Sequence, residues 1–109
     1  MLICDDGPAR DQGFFCRRAP RYVRVVKHSM TGRFDMLDQL EDEPETDEIL
    51  YVYRRSGPVG LLFTCGRGAG VSGRWPAAHY EWMDQVAGED VRDRASWRAW
   101  CQSRAGAAT

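Results

Sequence analysis

The chain has 109 residues, a formal net charge of −1 and four cysteines, which together fit one small domain. Its longest mostly apolar run, Val59 to Cys65, has seven residues, whereas a transmembrane helix needs about 20, so the sequence predicts no bilayer span. The first residues lack the basic and apolar regions of a secretory signal, and we therefore expect a cytoplasmic protein with free thiols.

The first predicted strand follows an N-terminal stretch, residues 1–20, which mixes charges, Gly, Pro and short apolar pairs without a sustained period. This stretch is predicted to be an irregular arm. Residues 21–28 are β-branched and aromatic and predict the strand itself. Residues 35–40 then place apolar side chains on one helical face, but acids and a proline follow at once, so we expect only a short acidic helix or turn.

Two apolar runs in the middle of the chain, 49–55 and 59–65, predict a β-hairpin. The residues between them, Ser56-Gly57-Pro58, are typical of a turn. A further strand is predicted over 78–83, and residues 90–104 predict the main helix, which Gly106 ends.

The fold class that these elements predict is α+β. We expect a three- or four-stranded, mainly antiparallel sheet with the C-terminal helix packed on one face and the short acidic helix or turn after the first strand. The predicted domain covers residues 21–104 and is followed by a tail, 105–109. The expected core residues are apolar or aromatic and lie on the hairpin and the helix: Tyr51, Tyr53, Leu61, Phe63, Trp97 and Trp100.

The most informative feature for function is the acidic segment, residues 35–48, which holds eight acids and no basic residue. Residues 1–34 carry a net +4 and residues 49–109 a net +3, so the near-zero total hides a local negative patch. Charges are screened over about 8 Å at physiological salt, and a partner would sense that patch. The segment is either a solvated connection or a docking surface for a basic partner. The candidate partner-binding residues are Asp38, Glu41, Asp42, Glu43, Glu45, Asp47 and Glu48.

A second hypothesis is single-stranded nucleic-acid binding, because arginines alternate with aromatic residues in the predicted strands. Such residues contact phosphates and stack on bases. Strand alternation would equally direct the aromatic side chains to the core and the arginines to water. The candidate residues are Arg21, Arg24, Arg54 and Arg55.

A third hypothesis is a small enzyme that uses Cys65 and His79, although nothing in their spacing requires the two side chains to meet. We expect no metal and no cofactor, because the cysteines are well separated in sequence without a C-x-x-C pair. Residues 68–73 match the G-x-G-x-x-G dinucleotide pattern, but Pro76 would interrupt the helix that this pattern requires.

The sequence therefore favours a small non-catalytic module that binds a basic protein, including one that itself binds nucleic acid, through the acidic segment. In size and composition only, the chain is similar to accessory proteins of phages and mobile elements, some of which inhibit by binding. That resemblance implies an inhibitor.

Overall fold

The computed structural model describes residues 1–37, 43–45, 47–64 and 73–107. These ranges contain seven β-strands, one short 3-10 helix (Gly88–Val91) and one α-helix, α1 (Arg94–Ala107). The strands, in chain order, are β1 Leu2–Cys4, β2 Gly13–Phe14, β3 Tyr22–His28, β4 Phe34–Leu37, β5 Glu48–Arg55, β6 Gly60–Thr64 and β7 Gly73–Trp82.

The strands form one mixed sheet in the order β2-β1-β7-β5-β3-β4, with β6 also paired to β7. β1 runs parallel to β7, and the other pairings in the described ranges are antiparallel. The sheet curls into a near-barrel, so that its two edge strands, β2 and β4, line one cavity. The prediction of a three- or four-stranded, mainly antiparallel sheet is therefore wrong, because it missed the edge strands and the parallel pairing.

The short acidic helix or turn predicted after the first strand is also wrong over the residues that the structure describes. Phe34–Leu37 forms strand β4 and pairs with β3 from Lys27↔Phe34 to Arg24↔Leu37. Phe34 and Met36 pack against the core while Asp35 is exposed, which is the two-residue alternation of a strand. Residues 38–40 of the predicted helix lie outside the described residues.

The predicted β5–β6 hairpin is replaced by a longer one. β5 pairs with residues 80–82 of β7, and β6 pairs with residues 73–77. Pro76 has no N–H to donate, and its carbonyl accepts from the amino group of Met1, so its backbone faces the edge of β7 that pairs with β1. β6 therefore pairs with the opposite edge of β7, which is also the edge that pairs with β5. β5 and β6 are therefore successive parts of one side of a long hairpin, and residues 56–59 interrupt that side instead of reversing it.

Two apolar clusters lie on opposite faces of the central strands. One fills the near-barrel and contains Val23, Val25, Tyr53 and Tyr80. The other joins Val26, Leu50, Val52, Met83 and Val91 to Trp97 of α1. Since both faces are covered, β3 is buried over most of its length.

The expected core residues divide between buried and exposed positions. Tyr53 and Trp97 are buried, whereas Tyr51 and Trp100 are half-buried. Leu61 is 62% exposed, because β6 pairs only with the far half of β7. The side chain of Phe63 lies outside the described side chains.

The stretch predicted to be an irregular arm contains β1 and β2. Leu2 and Cys4 are fully buried in the cluster that fills the near-barrel. The Tyr53 hydroxyl holds the following loop, because it donates to the Asp6 carbonyl at 2.8 Å and accepts from the Ala9 N–H at 2.9 Å. At the other end, residues 105–107 of the predicted tail continue α1.

Candidate protein-binding surface

The described part of the acidic segment lies between β4 and β5, beside the start of α1. Glu43, Glu45, Asp47 and Glu48 are described, and Asp35 lies on β4. The other three predicted partner-binding residues, Asp38, Glu41 and Asp42, lie outside the described residues.

Glu48 anchors the end of this segment within the fold. It is the first residue of β5 and only 7% exposed, and it pairs with His28 across the ladder. Its carboxylate accepts from the Glu45 N–H at 2.7 Å and lies 3.3 Å from Nδ1 of His28. The other ring nitrogen of His28, Nε2, lies 3.5 Å from the Asp35 carboxylate. His28 therefore bridges β4 and β5 through two carboxylates.

Two arginines hold the acidic segment beside the start of α1, one through backbone carbonyls and one through a carboxylate. The Arg92 guanidinium donates to the Glu48 carbonyl at 2.8 Å and also to the Glu45 carbonyl. The Arg94 guanidinium lies 3.2 Å from the Glu43 carboxylate, which also accepts from the Arg94 N–H. The segment is therefore attached at both of its described ends.

Besides Glu43, which pairs with Arg94, three carboxylates of this region are exposed, those of Asp35, Glu45 and Asp47, and we call them the acidic rim. Their positions follow from the anchors, because Glu45 and Asp47 lie within the stretch that Arg92 and Glu48 hold. Asp35 projects from the outer face of β4, the face that carries His28 on the neighbouring strand. The rim therefore presents negative charge from a fixed backbone.

The four arginines of the nucleic-acid hypothesis are not on one exposed surface. Arg24 is fully buried and donates to the carbonyls of Val91 and Arg92. Arg54 pairs with Glu81 through Nε at 2.9 Å, and the Arg55 guanidinium donates to backbone carbonyls of neighbouring loops. Arg21 is exposed.

The residues of the enzyme hypothesis are only partly described. Cys65 lies outside the described residues. His79 is exposed on β7, and its Nδ1 lies 2.7 Å from a carboxylate oxygen of Asp5. Burial raises the pKa of the Cys4 thiol to about 12, which keeps this residue protonated and unreactive at neutral pH. Within the described ranges, no three His, Cys, Asp or Glu side chains are arranged to hold a metal ion.

The G-x-G-x-x-G match is followed by a strand. Residues 68–72 lie outside the described residues, and Gly73 begins β7, which continues to Trp82. A dinucleotide site needs a helix N-terminus at this point to hold the pyrophosphate. The stretch after Gly73 therefore has the wrong secondary structure for that site.

Sequence reasoning missed a cavity of about 290 Å³ between the edge strands β2 and β4, which we call the seam. Its lining is partly apolar, from Phe14, Phe15, Cys16, Phe34 and Met36, and partly polar, from Gln12, Arg33 and Asp35. The thiol of Cys16 lies 3.6 Å from the sulfur of Met36 across the seam. The alternation of apolar and polar residues in Phe34-Asp35-Met36 was the only sequence pattern that indicated β4. It is short, however, and it also fits a helical turn.

Comparison of the chain with protein-family models, with curated proteins and with solved structures gave no match. In the part of the chain that the structure describes, no helix is both long enough and apolar enough to cross a membrane.

Proposed function

We propose that the protein is a small, non-catalytic binding module that contacts a basic surface of another protein through residues 35–48. The observation that carries the proposal is the fixed position of the acidic rim. Arg92 holds the carbonyls of Glu45 and Glu48, while the carboxylates of Glu45 and Asp47 face solvent. A segment whose backbone is already ordered loses little conformational entropy on binding, so more of the interaction energy of its charges contributes to affinity.

The local electrostatics support a basic partner. Interactions are screened beyond about 8 Å, so a partner that approaches the rim is attracted by these acids even though the whole chain is nearly neutral. Asp38, Glu41 and Asp42 belong to the proposal through their charge and their place in the sequence. If the partner's basic surface normally binds phosphates, an acidic rim seated on it blocks that surface, and inhibition is the effect that we propose.

A cytoplasmic location is also part of the proposal. Cys4 and Cys16 belong to the same buried cluster, and the proposal takes both as thiols. Thiols persist in reducing compartments.

The experiment compares three forms of the protein as immobilised baits in an extract of the native host. They are the wild type, the rim variant Glu45→Lys/Asp47→Lys, and a control, Asp84→Lys/Asp90→Lys, which makes the same change of charge at exposed positions outside the segment. Recovered proteins are identified by mass spectrometry, and the affinity of the purified partner is measured by calorimetry at several salt concentrations.

We expect the wild type and the control to retain a basic partner, and the rim variant to bind it at least tenfold more weakly at low salt. Affinity should fall as salt rises, because attraction between exposed charges is screened. Equal affinity of the rim variant and the control for that partner at low salt would refute the proposal.

A further inference from the structure

The seam is the place where the near-barrel fails to close. β2 and β4 are the two ends of the sheet order, and among the described residues no strand pairs with the outer edge of either. An uncovered strand edge presents N–H and C=O groups that can pair with another chain. The seam therefore combines a cavity, lined by both polar and apolar residues, with a backbone edge that can form further hydrogen bonds.

The register shows which backbone groups of β4 point into the seam. The His28 N–H donates to the Arg33 carbonyl at 2.9 Å, so residues 33, 35 and 37 direct their backbone groups toward β3. The N–H and C=O groups of Phe34 and Met36 consequently point the other way, to the outer edge. Two donors and two acceptors are therefore available to an added strand.

The size of the seam and the apolar part of its lining fit apolar side chains on such a strand. Its volume of about 290 Å³ lies at the lower limit of small-molecule pockets, which hold about 300–1,000 Å³. Phe14, Phe34 and Met36 form its apolar floor and pack on the core. Phe15, half exposed at the border, packs edge-on against Trp75 at 5.7 Å. Alternate side chains of an added strand would cover this floor.

The remaining side chains of an added strand would lie on the face of the sheet that carries Asp35. Side chains alternate between the two faces of a strand, so those that do not enter the seam lie on the face that carries Asp35. Asp35 belongs to the acidic rim, whose other members, Glu45 and Asp47, follow in the same segment. Basic residues on this face of the strand would therefore oppose negative charge.

We propose that the outer edge of β4 binds an extended segment of the basic partner as an additional strand, with alternate apolar side chains in the seam and basic side chains facing Asp35. This inference rests on the proposed function only for the sign of the partner's charge. The strand geometry depends on the outward backbone groups of Phe34 and Met36 and can be tested separately.

The probes are three blocked octapeptides, in which valine alternates with lysine, with serine or with glutamate. The key variant is Met36→Pro, which removes an outward N–H while leaving the β3–β4 ladder its own donors. Met36→Ala is the matched control, because it removes the same side chain and keeps the N–H. Binding is followed by calorimetry, and the amides of Phe34 and Met36 are followed by hydrogen exchange.

A second measurement leaves the protein unchanged, so that it does not depend on the folding of Met36→Pro. The valine–lysine peptide is N-methylated either at all valines or at all lysines, which removes the donors from one edge of an added strand at a time. We expect at least one of these two peptides to bind tenfold or more weakly than the unmethylated peptide.

Support for the inference is saturable binding of the valine–lysine peptide, slower exchange of the Phe34 and Met36 amides, and binding to Met36→Pro at least tenfold weaker than to Met36→Ala. Equal binding to the two variants, full affinity of both methylated peptides, or no binding at millimolar concentration overturns it. Self-association of the protein that Met36→Pro abolishes also overturns it, because a second copy would then occupy the edge.

The two proposals fail in different ways. If binding of the valine–lysine peptide requires the acidic rim but is unaffected by Met36→Pro, the proposed function is retained and the added strand is refuted. If all three peptides bind equally and Met36→Pro weakens the binding of each, the added strand is supported and the preference for a basic partner is refuted.

Discussion

The guanidinium carbon of Arg24 lies 5.1 Å from the centre of the Trp97 ring, and the Arg24 side chain is fully buried. Its Nη1 donates to the carbonyl of Arg92 at 3.1 Å and to that of Val91 at 3.4 Å. Arg24 thus joins β3 to the chain that leads into α1. It donates to two backbone carbonyls at the end of the 3-10 helix, where carbonyls lack intrahelical donors.

We expect Arg24→Ala to lower the free energy of unfolding by about 2–4 kcal/mol, because it empties a buried site and removes donors from two carbonyls. The matched control is Arg104→Ala, which removes an exposed arginine 5.0 Å from the Trp100 ring and should cost at most about 1 kcal/mol. Urea unfolding measures both changes. Equal losses would show that Arg24 contributes no more than an exposed cation–π contact.

Tyr53→Phe should release the loop after β1. The substitution leaves the buried Ala9 N–H and the Asp6 carbonyl without the hydroxyl that they share, which we expect to cost about 1–3 kcal/mol. Hydrogen exchange at the Ala9 amide should accelerate by more than the global loss of stability explains. Tyr51→Phe, at a half-buried position on the same strand, is the control. Unchanged protection of the Ala9 amide in Tyr53→Phe would contradict this prediction.

Gly88→Ala should destabilise the start of the 3-10 helix. A Cβ at this position would overlap the backbone carbonyl of Leu50, which cannot rotate away as a flexible side chain could. We expect a loss of about 1–3 kcal/mol in urea unfolding. Gly57→Ala is the comparison, since a Cβ there meets nothing within 4 Å and should change stability by less than about 0.5 kcal/mol. A neutral Gly88→Ala would mean that β5 and the 3-10 helix separate easily.

Asp93 should make the stability of α1 depend on acid pH. Its carboxylate accepts from the N–H and the hydroxyl of Ser96, and these hydrogen bonds hold the pKa of Asp93 below its ordinary value of 3.8. A carboxyl whose pKa is lower in the folded state stabilises that state above its unfolded pKa and loses this effect as pH falls through the folded pKa.

The stability difference between wild type and Asp93→Ala should therefore be full at neutral pH and should shrink as pH falls below about 4. Urea titrations at a series of pH values measure it. Asp84→Ala provides the reference for removal of another exposed carboxylate. A difference that stays constant down to pH 2 would exclude a capping role for the ionised side chain.

The sequence predicted those strands and helices whose residue pattern is visible within the element itself. The β-branched run at 22–28, the strand at 49–55 and the helix with Trp97 were all visible, because alternation and helical spacing are properties of neighbouring residues. β4 was mistaken for a helical turn because four residues are too few to separate a period of two from one of 3.6. In the structure, pairing with β3 makes these residues a strand.

Pairing between distant residues was beyond local reasoning. Ser56-Gly57-Pro58 looks like a hairpin turn, but the Ser56 N–H donates to the backbone carbonyl of His79 at 2.9 Å. The chain therefore stays beside β7 and resumes as β6. The acidic segment was visible as a charge pattern. Its anchors Arg92 and Arg94 were not, because they follow it by more than 40 residues.

Because β1 pairs in parallel with β7, with Leu2 opposite Ala78, this pairing cannot form until β7 has been synthesised. At a synthesis rate of about 5–20 residues per second, the partner strand of β1 is translated roughly 4–15 s after β1 itself. Throughout that interval β1 lacks the strand that joins it to the rest of the sheet, although its residues Leu2 and Cys4 are fully buried in the finished fold. The near-barrel is therefore completed only after β7 has been synthesised, and a nascent chain halted before residue 78 would leave the apolar side chains of β1 exposed.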